Sequence, residues 1–107
     1  MPGNGEWSLR GNWTIATEFI VPDGDGVLEL GFDATNVFLV VEPVQPGAEI
    51  DVRVDGKVSA DTADVKAGRL TADGSRMYHL VGLARPGRHL LRLEVRGAAR
   101  LFAFTFG

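Results

Sequence analysis

His79 and His89 are the only imidazoles in the sequence, and cysteine is absent. A metal-dependent sandwich enzyme needs several imidazoles and a carboxylate converging on an open coordination position. Two histidines without a His-x-His pair do not supply that set. His89 opens a run whose inward face is Leu91, Leu93 and Val95, which suits a packed or capping imidazole. A serine nucleophile needs a base and an orienting acid. Ser8, Ser59 and Ser75 lie in a tail, a hairpin and a turn, none in a Gly-x-Ser-x-Gly context. The 14 acidic residues include no pair whose spacing marks glycoside hydrolysis. Asp23-Gly24-Asp25-Gly26 resembles half a calcium loop, but a full loop adds oxygen ligands and a distal bidentate Glu, so it reads as a turn. No catalytic, cofactor or metal-ligating residue is assigned, and the chain is read as not an enzyme.

Recognition chemistry is better supplied. A sugar ring presents a flat C–H face that an aromatic side chain can cover, while polar neighbours hold its hydroxyls. The rings available are Trp7, Trp13, Tyr78 and six Phe. Trp13 shares its face with Ile15, Phe19 and Val21, so it is either a buried indole or a platform at a strand mouth. Glu18 is five residues on, and an odd offset puts it on the opposite face unless a bulge intervenes. Arg76 and Tyr78 are two apart and share a face. They form either a hydrogen-bonding platform or a buried phenol with an Arg at the rim. Asp64 falls in the least regular segment, 61–68, as a ligand contact or as a turn cap.

The elements that would position these residues are strands. Leu28, Leu30 and Phe32 alternate with Glu29 and Asp33; Ile50, Val52 and Val54 alternate with Asp51, Arg53 and Asp55; Leu91, Leu93 and Val95 alternate with Arg92, Glu94 and Arg96. Phe102, Phe104 and Phe106 repeat the pattern, and with Phe32 they are assigned to the core. Val37–Val41 is apolar throughout, so both its faces should be covered. Strands are expected near 12–21, 27–33, 36–42, 49–55, 57–60, 69–72, 76–83, 89–96 and 100–106, with one possible helical turn in 61–68. Asp55-Gly56 signals a type I′ hairpin, whose two central residues need positive φ. One-sided alternation over eight or nine short strands implies an all-β fold, an antiparallel β-sandwich or barrel. A single domain is expected over 11–107, with 1–10 as a tail or linker stub.

With 107 residues and 45% hydrophobic content, the chain can bury one core. It has no apolar run of about 18 residues that would span a membrane as a helix. The net charge of −3 argues against nucleic acid, which demands clustered Lys and Arg. Charge is polarised: residues 1–65 carry three basic and twelve acidic side chains, residues 66–107 eight and two. Either the two halves cancel across neighbouring strands, or the positions Arg88, Arg92, Arg96 and Arg100 build a basic face.

Several features occur in one order: Gly11-x-Trp13 with Glu18, Leu28-x-Leu30-x-Phe32-x-Ala34-x-x-Val37-x-Leu39-Val40, Asp55-Gly56-Lys57, Asp64-Val65, Arg76-Met77-Tyr78-x-Leu80-Val81, His89-x-Leu91-x-Leu93 and the closing Phe102-Ala103-Phe104-Thr105-Phe106-Gly107. Over residues 11–107 this order resembles the domain that follows the thioredoxin domain in bacterial DipZ-type proteins and related thioredoxin-like fusions. The resemblance implies a jelly-roll sandwich similar to carbohydrate-binding modules, held outside the cytoplasmic membrane. It implies a non-catalytic accessory module similar to carbohydrate-binding modules, without a cofactor; for a glycan ligand, the candidate residues read from the chain are Trp13, Glu18, Asp64, Arg76 and Tyr78. The alternative, favoured by the Arg positions and the charge split, is a protein-interaction domain that docks on a thioredoxin-like domain or on a second copy of the chain. No Cys-x-x-Cys is present in this sequence, so dithiol exchange is outside its chemistry. The chain reads as an excised domain or a stand-alone relative.

Overall fold

The computed structural model describes residues 7–11, 13–15, 19–22, 24–44, 47–97 and 99–107. Among the described residues, eleven strands form two antiparallel sheets: β1 (Trp7–Arg10), β2 (Trp13–Ile15), β3 (Ile20–Pro22), β4 (Gly26–Asp33), β5 (Asn36–Pro43), β6 (Glu49–Val54), β7 (Lys57–Val58), β8 (Arg69–Thr71), β9 (Arg76–Gly82), β10 (Arg88–Arg96) and β11 (Ala99–Phe106). The first sheet runs β1-β4-β10-β6-β7, with β8 also on β6; the second runs β2-β3-β11-β5-β9. The architecture is the expected jelly-roll sandwich.

Each long strand follows its alternation. Leu28 and Leu30 of β4 stand opposite Leu93 and Leu91 of β10, which stand opposite Val52 and Val54 of β6. Facing them across the sandwich are Val37, Leu39 and Val41 of β5, Tyr78 and Leu80 of β9, and Leu101 of β11, all buried. Apolar area leaving water drives this packing, each buried aliphatic side chain contributing roughly 1.5–3 kcal/mol. Asp55 and Gly56 have φ of 53° and 80°, so the β6–β7 hairpin takes the expected turn.

Four expectations are corrected. The strand placed over 12–21 is a hairpin, with Ile15 of β2 opposite Ile20 of β3. Ile15 is therefore largely exposed at a sheet edge, and Val21, opposite Thr14, lies on the other face from Trp13. Trp7–Arg10, assigned to a tail, pairs along β4, with Leu9 opposite Leu28 and half-buried. On β11 a bulge lies between Leu101, opposite Val41, and Phe104, opposite Leu39. Two residues there, Phe102 and Ala103, match one on β5, and the strand changes phase. Ala99 and Leu101 thus fill the core, Phe104, opposite Leu39, packs against it as expected, Phe102 is only half-buried, and Phe106 is exposed. Finally, segment 61–68 holds no helical turn; it ends in a two-residue hairpin in which Lys66 N donates to Arg69 O and Arg69 N to Lys66 O.

Candidate functional site

Three of the anticipated site residues meet at the rim of β9. Thr62 Oγ1 donates to His79 O at 2.6 Å and accepts from Asp64 N and Val65 N, which turns the 61–65 loop back onto the strand. The Asp64 carboxylate is then fully engaged. Its Oδ2 accepts from His79 N at 2.7 Å and its Oδ1 from Arg76 NH2 at 2.8 Å. Arg76 also reaches Asp73 Oδ1 at 3.3 Å and Met77 O at 3.2 Å, and its guanidinium lies 3.8 Å over the Tyr78 ring. Tyr78 is buried; its hydroxyl donates to Gly74 O at 2.6 Å and accepts from Asp73 N at 2.9 Å.

The electrostatics follow from these contacts. The hydrogen bond from Arg76 holds Asp64 below the usual carboxylate value, and the same bond raises Arg76. Burial pushes the Tyr78 phenol up. Of the two arrangements that the i, i+2 spacing of Arg76 and Tyr78 left open, the structure has the buried ring with a guanidinium at its rim. Every strong acceptor in the cluster already holds a donor. Its chemistry is that of a latch, fastening the 61–65 loop and the 73–75 turn to β9.

Trp13 takes no part in it. β2 and β9 are opposite edges of the second sheet, four strand spacings or roughly 19 Å apart. The indole is half-buried against the core, donates from Nε1 to Arg10 O at 2.8 Å, and lies directly on Gly26. Glu18 and Asp23 fall outside the described residues.

Other reactive side chains are also locally engaged. His79 Nε2 is 3.0 Å from Asn36 Oδ1 and 2.8 Å from Val81 O, and its ring stacks on Phe38 at 4.6 Å. His89 Nδ1 is 2.5 Å from Asp55 Oδ2, on the other sheet. Ser59 Oγ donates to Leu80 O and Ser75 Oγ to Glu42 Oε2. Among the described residues no three His, Asp or Glu side chains are arranged to hold a metal ion.

The two outward faces differ in chemistry. On the first sheet, acids from the first half of the chain meet basic residues from the second at Arg96–Asp51, 2.9 Å, Arg69–Asp51, 3.0 Å, and Arg69–Glu49, 3.4 Å, while Arg10–Glu29 at 3.6 Å and Arg92–Glu94 at 3.3 Å pair within one half. The polarised charge therefore largely cancels. Arg100 does not continue an arginine stripe; it lies on the other sheet, 2.5 Å from Glu42. The outward face of the second sheet is apolar. Phe38 and Val40 of β5 stand beside His79 and Met77 of β9. At the β11 bulge, Phe102 packs on Phe19 at 5.3 Å, with the Arg100 guanidinium 5.1 Å from the Phe19 ring. Met77 is 51% exposed. Thus Val37, Leu39 and Val41 are covered as expected, while Phe38 and Val40 are only half-buried, and no described element lies across them. Sequence reasoning missed this surface, although the unbroken apolar run Val37–Val41 was its signal.

The fold is shared with solved carbohydrate esterases. A family two carbohydrate esterase from Clostridium thermocellum, in complex with cellohexaose, superposes with a TM-score of 0.76 at 16% identity, over 94% of this chain and 31% of the esterase. One from Cellvibrio japonicus superposes with a TM-score of 0.76 at 12% identity, over 97% of this chain and 31% of that one. The chain spans about a third of the length of these structures. No curated protein sequence matches it. Residues 1–107 match the family described as the thioredoxin-like C-terminal domain, and the chain belongs to that family.

Proposed function

We propose that this chain is a non-catalytic accessory module that binds a glycan across the outward face of the second sheet. The observation that carries this reading is the contrast between the faces: one is a lattice of matched charges, the other a strip of Phe38, Val40, Met77, His79 and Phe102. Rings at half exposure can cover sugar C–H faces, and polar groups at both ends can take hydroxyls. Those groups are Arg100 with Glu42 at one end and Asn36 at the other. On this reading Asp64 and Tyr78 shape the rim, Arg76 borders the strip through its bond to Met77 O, and Trp13 is scaffold.

An esterase of the same fold was captured with cellohexaose, so that β-glucan is the first probe. Titration is expected to give saturable amide shifts at Phe38–Val40, Met77–His79 and Phe102–Thr105. Met77→Glu places a charge on the strip at a half-exposed position, so it should abolish those shifts and leave Tm nearly unchanged. Absence of saturable shifts on this face with a panel of mono- and oligosaccharides would sink the reading.

A second reading is that the same strip docks a thioredoxin-like domain. It is favoured by the uncovered apolar residues Phe38, Val40 and Met77 on that face and by the family to which the chain belongs. The ion pairs of the first sheet are satisfied internally, so such docking would resist salt. Mixing with a thioredoxin-like domain would then shift the same amides, and Met77→Glu would again remove the response.

A further inference from the structure

β6 is the last full strand of the first sheet, and two short strands share its outer edge. β7 pairs with Arg53 and Val54, and β8 with Glu49, Ile50 and Asp51. Val52 falls between them, and loop backbone takes its polar groups: its N–H donates to Gly68 O and its carbonyl accepts from Ser59 N. Over this junction lies an open crevice of about 390 Å³, lined by Asp51, Arg53, Val58, Lys66, Ala67 and Arg69. That volume is within the range of small-ligand sites, roughly 300–1,000 Å³.

Three cations and one acid face the crevice, in a chain whose net charge is −3. The acid is occupied, since Asp51 pairs with both Arg69 and Arg96. Arg53 is not matched: among the described residues no carboxylate lies within ion-pair distance of it. It stands directly opposite Arg92 in the ladder with β10, where like charges repel. A second departure from local preference adjoins it. Ala67 has φ of 51° in the Lys66–Arg69 hairpin, a left-handed position that glycine or asparagine would take with less strain. The positive φ of Ala67 closes the two-residue turn, whereas the Arg53–Arg92 juxtaposition has no structural return, and Arg53 and Ala67 line one crevice. A local rule broken without a structural return marks a functional site.

We infer that this crevice binds a carboxylate-bearing saccharide, a uronic-acid residue of a glycan. The Arg53 guanidinium offers a fork of donors matched to a carboxylate. Lys66 Nζ makes one hydrogen bond, to Thr62 O at 2.8 Å, and keeps two donors for the ligand. Val58, 57% exposed, and Ala67 offer apolar surface to the C–H face of the ring. A compact ring suits the site better than an acidic peptide, because β7 and β8 already occupy the strand edge to which an extended peptide would add. This site lies on the other sheet from the glycan strip and stands whether or not that strip binds anything.

The test is titration of the full chain with trigalacturonate, its methyl ester, hexaglutamate and inorganic phosphate. The expected result is saturable amide shifts at Arg53, Val58 and Lys66–Arg69 with trigalacturonate, weakened by added salt, and at least tenfold weaker binding of the ester. Arg53→Gln should weaken trigalacturonate at least tenfold while Tm stays level or rises, since the variant also removes the repulsion with Arg92. Lys66→Gln should weaken it too. Absence of shifts at the crevice, equal affinity for hexaglutamate or phosphate, or unchanged affinity in Arg53→Gln would each overturn the inference.

Discussion

Asp64→Ala is expected to destabilise the domain by about 3 kcal/mol, read as a lower urea midpoint at unchanged slope. The carboxylate is only 14% exposed and accepts two hydrogen bonds, from His79 N and from Arg76 NH2. Hydrogen bonds to a charged group contribute roughly 1.5–3 kcal/mol each, and His79 N–H would be left without its acceptor. Asp64→Asn keeps one acceptor oxygen and should lose about half as much. The effect has a pH signature. Arg76 holds Asp64 below the ordinary value of 3.8, so its contribution is present above that value. It is lost as pH falls through the lower value of the folded state. Asp55, lowered by its hydrogen bonds from His89 and Leu90 N, adds to the same acid window. Asp64→Ala should therefore be less stable than the parent at pH 7 and converge on it in strong acid. Equal stability at pH 7 with an unchanged acid profile would show that the cluster does not fasten the loop and is open for ligand.

What the sequence disclosed depended on how local the determinant was. Leu91, Leu93 and Val95 announced their face because a strand repeats every two residues, and Asp55-Gly56 announced its turn through backbone stereochemistry. Arg76 and Tyr78 could be placed together for the same reason. Asp64 joins them only because Thr62 turns the loop back, a tertiary event that no spacing encodes. Trp13 looked like a neighbour of that group because periodicity carries no information on strand order; in the fold it stands at the opposite edge. The β11 bulge broke the Phe102-x-Phe104-x-Phe106 pattern at Phe102, since one inserted residue exchanges the faces while the alternation in sequence stays intact; of the three, Phe104 packs against the core. Val37–Val41 did carry the clue to the strip. An apolar residue at every position implies a cover on both sides, and the sandwich supplies one.

This bears on how the two ligand surfaces can coexist. A sandwich of this size needs only its inner faces for stability, so its outer faces are free to specialise. The first sheet pairs charges across β1, β4, β10 and β6, and Arg53 of β6 is among the described charges left without a carboxylate partner. The second replaces charges with rings. Neither surface requires the other, and each can be removed by one outward substitution without touching the core.

The opposite holds where Trp13 sits. Gly26→Val is expected to cost about 3 kcal/mol, at the upper end of what overpacking a core position does. A Cβ on Gly26 would lie 2.7 Å from Trp13 Cε2 and Cζ2 and 2.9 Å from Pro22 Cβ. The pyrrolidine cannot rotate away, and the indole is fixed through Nε1 to Arg10 O. The ring must leave, and with it the packing that joins β2 and β3 to the end of β4. In a Trp7→Phe background, where Trp13 is the sole indole, its emission should move to longer wavelength as the ring enters water. Trp13→Ala should itself be destabilising, and adding it to Gly26→Val should cost less than the two single losses together, because the clash is gone. A glycan platform would behave otherwise: Trp13→Ala would then abolish sugar binding at full stability, and the indole would belong to the ligand surface and not to the scaffold.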